Sequence, residues 1–285
     1  MTFAVAITIG SLISTIGGLI DALEGLGPDR DRAIEMLSDT TSVVIRTVLD
    51  SANWRGRDAA VTALGQSEPP RVRLLIDVAR HHPKISTRRS AIRGLGGVGP
   101  VGTCDSLATM FGQGSDSVIL DVMGSRQDCQ VSDIEPFLNS NDPDVRRRAF
   151  VAFSRLDPGA ALLVSTEWLG DSHHGVRRVV STFLVGEGMA GAGAIARSVD
   201  DLEGVGKTTA LNILGELGGE QAVRILSTAI SDPAWVHRRA AADGLARIGS
   251  NASLRRVRER RLAESHPLVL EALERAVLRI EGRLE

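Results

Sequence analysis

The sequence predicts an all-α protein, a right-handed α-solenoid of about eight repeats of two helices each. Three observations predict it: a short pattern that recurs about every 30 residues, turn residues between the copies, and small or apolar residues at helical spacing. Repetition at this period is typical of solenoids, because a single helical hairpin cannot bury its apolar face alone.

The recurring pattern is clearest in residues 142–153, where Arg146 is followed by Ala149, Ala152 and Phe153. This frame, basic-x-x-small-x-x-small-apolar, places the small and apolar side chains on one helical face. We call the first position of each copy the mark residue. The eight mark residues lie 28 to 32 residues apart, and the copies at the third and eighth are degenerate: Arg57, Arg88, Asp116, Arg146, Arg177, Lys207, Arg238 and Leu270.

Turn residues separate the copies. Pro suits the first turn of a helix, where its missing N–H is not needed, and it occurs in His82-Pro83, Asp142-Pro143, Asp232-Pro233 and His266-Pro267. A second apolar helix is expected in each period, for example over residues 72–79, 160–169 and 222–230. We expect a glycine with positive φ to end the marked helices at Gly65, Gly96, Gly124 and Gly215.

The frame resembles the HEAT repeat family, in the short variant named after phycobilisome lyase subunits. The resemblance is carried by Asp142-Pro143-Asp144-Val145-Arg146-x-x-Ala149 and by Asp232-Pro233-x-x-Val236 with Arg238-x-x-Ala241, and it covers residues 30 to 285. It implies that each mark arginine pairs with a turn aspartate of a neighbouring repeat. The candidate aspartates are Asp144, Asp171 and Asp232.

The chain is expected to divide into an N-terminal apolar helix (1–28) and the repeat solenoid (29–285). Residues 1–20 carry no charged side chain, and such a stretch is long enough to cross a membrane. Two readings stay open: a first helix packed on the end of the solenoid, or a membrane or partner-binding helix formed by residues 3–20. Gly25-Leu26-Gly27-Pro28 should end this helix.

No catalytic, cofactor-binding or metal-binding residue is predicted. Gly204-Val205-Gly206-Lys207-Thr208-Thr209 resembles a phosphate loop, but Asp201 stands where the first glycine belongs, and Lys207 is a mark residue. No histidine precedes a glutamate, the dipeptide of the di-iron HEAT enzyme deoxyhypusine hydroxylase. Cys104 and Cys129 show no CxxC spacing, so we expect reduced core thiols in a cytoplasmic protein.

The residue after each mark, and the residue four further on, should point away from the core. By the HEAT resemblance this direction is the concave surface. A broken basic stripe with two interspersed acids is predicted there to bind a partner: Arg89, Arg93, Arg147, Arg178, Arg239, Asp121 and Asp243. The alternative is an ordinary solvated face.

These observations favour a non-enzymatic scaffold or adaptor that binds a protein partner with an acidic segment through its concave face. Family resemblance alone offers a bilin lyase or isomerase subunit as an alternative. A nucleic-acid-binding HEAT protein is a further alternative, disfavoured by the net charge of −2. The sequence leaves the oligomeric state open. The predicted location is the cytoplasm, with the protein associated with a membrane if residues 3–20 insert into it.

Overall fold

The structure, a computed structural model, describes residues 9–67, 71–97 and 103–283, with side chains described from residue 16 onward. These residues form helices and turns without any strand. They fall into two compact units, one up to residue 134 and one from residue 135, which we call unit 1 and unit 2. The predicted boundary at residue 28 does not coincide with this division and stays a prediction.

Unit 1 consists of eight helices and the first part of a ninth within the described residues. They are α1 (Ile9–Glu24), α2 (Pro28–Ser38), α3 (Ser42–Ser51), α4 (Trp54–Gln66), α5 (Val72–His81), α6 (Ile85–Gly97), α7 (Thr103–Ala108), α8 (Asp116–Met123) and α9 (Val131–Leu138). Helices α2, α4, α6 and α8 are neighbours in one row, and α3, α5 and α7 pack against that row.

Unit 2 repeats this two-row arrangement. Its helices are α10 (Pro143–Leu156), α11 (Pro158–Val164), a 3₁₀ helix (Ser165–Gly170), α12 (His174–Gly186), α13 (Met189–Ser198), α14 (Gly204–Leu217), α15 (Gly219–Ala229), α16 (Trp235–Ile248), α17 (Asn251–Ala263) and α18 (Pro267–Glu281). Helices α10, α12, α14, α16 and α18 form one row, and the others form the second. All eight mark residues lie in helices of the first row of their unit, so the all-α solenoid of helical hairpins is confirmed.

Small residues allow close contact between neighbouring helices, as predicted for frame positions such as Gly94 and also just after the frame at Gly215. A Cβ atom added to Gly215 would lie 2.6 Å from the Cα atom of Gly244, and one added to Gly94 would lie 2.7 Å from Cγ1 of Val61. Any larger residue would force the helices apart, because interiors are packed at the density of organic crystals.

The positive φ expected at the glycines after the frame is wrong, although Gly124 does cap the end of α8. None of Gly65, Gly96, Gly124 and Gly215 has positive φ. Helix α14 continues past Gly215 and stops at Gly218, whose φ is 75°. Gly215 is small because Gly244 of the next repeat lies against it, so close packing rather than backbone conformation explains this glycine.

The expectation of reduced thiols is also wrong, because Cys104 and Cys129 form a disulfide. Cys104 lies on α7 and Cys129 precedes α9, and the turn between α8 and α9 brings their Cα atoms to 5.3 Å. The bond joins positions 25 residues apart in unit 1. It also removes the argument for a cytoplasmic location that rested on reduced cysteines.

The described part of the N-terminal helix packs on its own unit. Helix α1 contacts α2 and α4, the side chain of Leu23 is fully buried, and Oε1 of Glu24 accepts a hydrogen bond from the backbone N–H of Asn53. The predicted break is confirmed: α1 ends at Glu24 and Gly27 has a φ of 84°. Among the described residues, no helix is long and apolar enough to cross a membrane. Residues 1–8, part of the proposed anchor, lie outside the described residues.

Candidate functional site

Each mark arginine donates a hydrogen bond to a backbone carbonyl of the turn that precedes its own helix. The Nη1 atom donates to the carbonyl oxygen six residues earlier, at 2.7 Å for Arg146, 2.6 Å for Arg177 and 2.9 Å for Arg238. Arg88 of unit 1 repeats this bond to His82 at 2.9 Å. Carbonyls at a helix end lack intrahelical partners, so this repeated contact satisfies groups that the fold leaves open.

Three mark residues of unit 2 also reach a carboxylate of the next repeat. Arg146 makes a two-pronged contact with Asp171, with N–O distances of 2.8 and 2.9 Å. Lys207 Nζ lies 2.9 Å from Asp232 Oδ2. Arg238 holds Glu264 through two bonds of 2.7 and 3.0 Å. The acceptors follow the mark by 25, 25 and 26 residues, and we call these three pairs the rungs.

The rungs confirm two of the three candidate aspartates. Asp171 and Asp232 accept from the neighbouring mark, whereas Asp144 pairs with Arg147 on its own helix at 2.7 Å and was wrongly assigned. Glu264 was missed because it is a glutamate two residues before the His266-Pro267 turn. Its distance of 26 residues from the mark is the signal that could have found it.

Burial and charge act in opposite directions on the rung carboxylates. Burial raises the pKa values of Asp171 and Asp232, but hydrogen bonds from Arg146 and Lys207 and from nearby backbone N–H groups outweigh it and leave both pKa values lowered. The Arg238 guanidinium holds the pKa of Glu264, whose side chain is 1% exposed, far below its usual range. The rungs are therefore charged pairs at neutral pH.

The remaining mark cations do not form rungs. Position 25 after Arg177 is Leu202, and after Arg57 it is His82. Arg88 reaches the backbone carbonyl of Gln113 at 3.2 Å, a neutral acceptor. Among the described residues, the rungs are thus confined to unit 2. Within unit 2, the mark residue Arg177 forms no rung.

The segment that resembles a phosphate loop is a repeat turn, as predicted. Helix α14 starts at Gly204, and no strand precedes it in the described chain. A Cβ atom added to Gly206 would lie 3.3 Å from the backbone of Gly170, so close packing of the two turns favours glycine here. Lys207 is occupied by Asp232. A cavity of about 420 Å³ beside this pair includes the side chain of Arg224 in its lining.

Histidine 237 is buried beside the second rung. Its Nδ1 atom lies 2.9 Å from Oδ1 of Asp232 and its Nε2 atom lies 2.9 Å from the carbonyl oxygen of Gly204. His237 thereby ties two successive turns together. Another turn histidine, His173, caps a helix by accepting from the N–H of Gly175.

The described residues contain one group whose atoms are close enough to ligate a metal: Cys104, Cys129 and Asp133. Its two sulfur atoms are bonded to each other. A metal requires thiolates, so the group cannot act as a metal site in this state.

The predicted partner-binding residues of unit 2 differ in whether they form ion pairs within the chain. Arg147 is half-buried and paired with Asp144. Arg239 lies 3.8 Å from Asp243, which also pairs with Arg275 at 2.9 Å. The side chain of Arg178 is exposed and forms no hydrogen bond or ion pair with a described residue.

The predicted residues of unit 1 lie on α6 and α8. Arg89 donates to the carbonyl oxygen of Gly114 at 2.8 Å, and Asp121 is half-buried. Arg93 is exposed and, like Arg178, makes no ion pair within the described part of the chain. Whether any of these residues contacts a partner stays a prediction.

Two rows of helical hairpins stacked in register define the class of protein, an α-solenoid. Residues 192–277 match the model of the family described as HEAT repeats. The same frame continues in register before residue 192. The phycobilisome lyase variant is not confirmed.

Three of the solved structures similar to the chain illustrate the likeness. The Escherichia coli protein YibA is 12% identical, with a TM-score of 0.47 over 88% of this chain and 98% of its own. Human deoxyhypusine hydroxylase in complex with glycerol is 18% identical, with a TM-score of 0.37 over 96% and 99%. A designed armadillo repeat protein is 12% identical, with a TM-score of 0.26 over 93% and 99%. At these scores none of them supports an argument about function. No curated protein matches the sequence.

Proposed function

We propose that the chain is a non-enzymatic scaffold that binds an acidic segment of a partner protein through unit 2. The binding face would be the outward side of the row α10 to α18, formed by the residue after each mark and the residue four further on. One observation carries the proposal: the mark cations are used within the fold, whereas Arg178, the next residue along, is exposed and unpaired.

The surroundings of Arg178 suit a carboxylate-bearing ligand. Asn212, at an outward position of α14, is exposed, and its amide can donate hydrogen bonds. The hydroxyl of Thr182, at an outward position of α12, already donates to the backbone carbonyl of Arg178 at 2.9 Å. A guanidinium binds carboxylates through two parallel N–H groups, which gives direction as well as charge. Acidic-segment recognition by spaced arginines is a recurring mode of peptide binding.

The neighbouring arginines could join the contact by exchanging partners. The pair of Arg147 and Asp144 lies at the surface, and the 3.8 Å separation of Arg239 and Asp243 is too long for a strong hydrogen bond. Exposed ion pairs contribute roughly 0 to 1 kcal/mol, so a ligand carboxylate can compete with them. The expected binding is moderate and weakened by salt.

A peptide titration tests the proposal. A fluorescent peptide of about 15 residues rich in Asp and Glu should bind the full chain, and R147E combined with R178E should abolish binding while leaving the helical circular dichroism unchanged. The matched control is R224E combined with R255E, the same charge change at exposed positions of the second row. Equal loss in both double variants would show that only net charge matters and would overturn the assignment.

Duplex DNA serves as the competitor for the nucleic-acid alternative. If DNA displaces the peptide, and the affinity of the protein for DNA falls steeply with salt, the face is a phosphate-binding surface instead. The bilin lyase alternative gains no residue with an assignable role among the described side chains. An iron enzyme like deoxyhypusine hydroxylase is not favoured either, because no histidine of this chain precedes a glutamate.

A further inference from the structure

The disulfide of unit 1 lies beside a carboxylate that has no cationic partner. Oδ2 of Asp133 lies 3.5 Å from Sγ of Cys104, and the potential ligand atoms of Cys104, Cys129 and Asp133 all lie within 4.8 Å of one another. Within the described part of the chain Asp133 forms no ion pair, and its Oδ2 atom accepts the backbone N–H of Gln130 at 2.7 Å. A disulfide sulfur carries no proton, so Cys104 cannot donate to the nearby carboxylate in this state.

The two sulfur atoms are shielded from solvent, whereas the carboxylate reaches the surface. Cys104 is 3% exposed and Cys129 is 4% exposed, but Asp133 is half-buried. An ion held by these three side chains would be covered on the sulfur side and reachable on the carboxylate side. A binding site needs such a path of entry.

Contacts other than the disulfide hold the two cysteines close together. The carboxylate of Asp128, the neighbour of Cys129, accepts the backbone N–H of Cys104. Arg126 pairs with Asp128 at 2.7 Å and donates to the carbonyl oxygen of Leu95 at 2.6 Å. The side chains of this arginine and aspartate are only 8% and 10% exposed. None of these bonds involves sulfur, so we expect them to persist when the disulfide is reduced.

Reduction converts the disulfide into a set of metal ligands. A dithiol reductant turns Cys104 and Cys129 into two thiols and is itself oxidised to a disulfide, and a bound Zn²⁺ then displaces one proton from each thiol. Tetrahedral zinc has Zn–S distances of about 2.3 Å and Zn–O distances of about 2.0 Å, which place a bound sulfur about 3.5 Å from a bound oxygen. Cys104 and Asp133 already have this separation. Two bound sulfurs lie about 3.8 Å apart, and side-chain rotation can give this distance between residues whose Cα atoms are 5.3 Å apart.

We propose that Cys104, Cys129 and Asp133 bind one zinc ion when the disulfide is reduced, with water as the fourth ligand. Two thiolates and a carboxylate supply three negative charges, which a divalent cation compensates. Sulfur ligands in a tetrahedral set select zinc over magnesium or calcium, which take larger sets of oxygen ligands. The zinc ion and the disulfide exclude each other, so α7 and the residues before α9 are linked in either redox state. This inference concerns unit 1 and does not depend on the proposed binding of an acidic segment by unit 2.

A zinc titration of the full chain in both redox states tests the proposal. The chain is treated with a chelator, reduced with dithiothreitol, desalted without oxygen and titrated with Zn²⁺ against a competing zinc indicator. The reduced chain should bind one Zn²⁺ at least about a hundredfold more tightly than the oxidised chain, because a disulfide offers no thiolate. Co²⁺ in place of Zn²⁺ should give a sulfur-to-cobalt charge-transfer band in the reduced chain only. Zn²⁺ should also slow hydrogen exchange of α7 in the reduced chain and leave the oxidised chain unchanged.

The variant D133N tests the third ligand. Both cysteines remain, and the asparagine oxygen can still accept the N–H of Gln130, so the oxidised variant should fold. The zinc affinity of the reduced variant should fall at least about tenfold. The matched control is D105N, which removes an exposed aspartate next to Cys104 that is not part of the ligand group, and it should bind zinc as the unchanged chain does.

Several results would overturn the proposal. Equal zinc binding by the reduced and oxidised chains would place the ion elsewhere. Zinc binding without a cobalt charge-transfer band would exclude sulfur ligands, and equal zinc affinity of D133N and D105N would exclude Asp133. A reduced chain that binds no zinc, although thiol titration finds both cysteines free, would refute the site altogether.

Discussion

Units 1 and 2 share one helical frame but hold neighbouring repeats together differently. In unit 2, Arg146, Lys207 and Arg238 each reach a buried carboxylate of the next repeat. In unit 1 the mark arginines Arg57 and Arg88 donate to backbone carbonyls. Unit 1 instead contains a covalent bond between Cys104 and Cys129.

The difference shows that the same packing of small and apolar residues is reinforced by different contacts in the two units. Both units bury an aliphatic core, and both place small residues where helices meet, at Gly94 in unit 1 and Gly244 in unit 2. The rungs and the disulfide are added to that packing. Acid should therefore act mainly on unit 2, and a reducing agent should act on unit 1.

Acidification is expected to give the largest effect, because it acts on all three rungs at once. The pKa values of Asp171, Asp232 and Glu264 are lowered in the fold. Stability from a lowered carboxyl pKa is fully present above the ordinary value, near about 4, and is lost as pH falls through the folded value. Hydrogen exchange measured from about pH 6 to about pH 3, corrected for its intrinsic pH dependence, should show protection lost first in α10 to α18.

Unit 1 provides the internal reference for that experiment. It has one comparable buried pair, Arg126 with Asp128, whose pKa is also lowered although burial raises it. Its loss of protection should be smaller than that of unit 2. Equal losses in the two units would contradict the assignment of the rungs as the acid-sensitive contacts.

The next largest effect is expected from E264Q. The change keeps the shape of the side chain but leaves Arg238 and Arg260 without their shared carboxylate. Breaking a buried pair by removing one partner costs about 3 to 5 kcal/mol. Protection of α16 to α18 should fall by this amount in hydrogen exchange. R88M in unit 1, which removes no carboxylate contact, should cost clearly less, and a similar cost would contradict the comparison.

Reduction of the disulfide should destabilise unit 1 by about 3.5 kcal/mol, the entropy estimate for a loop of 25 residues. Urea unfolding with and without dithiothreitol, followed by hydrogen exchange of each unit, measures the change. Unit 2 should be unaffected. If peptide mapping without reductant finds Cys104 and Cys129 as free thiols, unit 1 is not stabilised by a disulfide and this difference between the units does not exist.

The smallest effect is expected from E220Q. Glu220 and Arg224 form an exposed pair on one helix, at 2.8 Å, and exposed pairs of this kind contribute about 0.3 to 0.5 kcal/mol. Urea unfolding should barely change. A cost above about 1 kcal/mol would mean that surface pairs, and not only the buried rungs, stabilise unit 2.

The sequence predicted the repeat frame well because its signal is local. Three-residue spacing places Ala149 and Ala152 on one face in any helix, so the pattern indicates the helix without tertiary information. The family resemblance also implied the rung acceptors Asp171 and Asp232, which lie at the turn position that recurs with the repeat. The decoy phosphate loop was resolved by the same register, because Lys207 falls on a mark.

The remaining features depend on contacts between distant residues. The disulfide requires the turn between α8 and α9, and the tight packing of Gly215 requires the next repeat. A groove lined by residues of α1, α2 and α3 forms only when all three helices are in place. The sequence predicted the outward arginines Arg147, Arg178 and Arg239 as equivalent. Only the fold shows that Arg147 and Arg239 have acidic neighbours on their own helices, whereas Arg178 has no ion pair among the described residues.

A double-mutant cycle on Arg146 and Asp171 tests the central claim that unit 2 is held by charged contacts between repeats. R146M, D171L and the double variant should each be measured by hydrogen exchange of α10 and α12. A coupling energy of about 2 kcal/mol is expected for a buried pair with two hydrogen bonds. A coupling energy below about 0.5 kcal/mol would show that the two side chains act independently and would contradict the account.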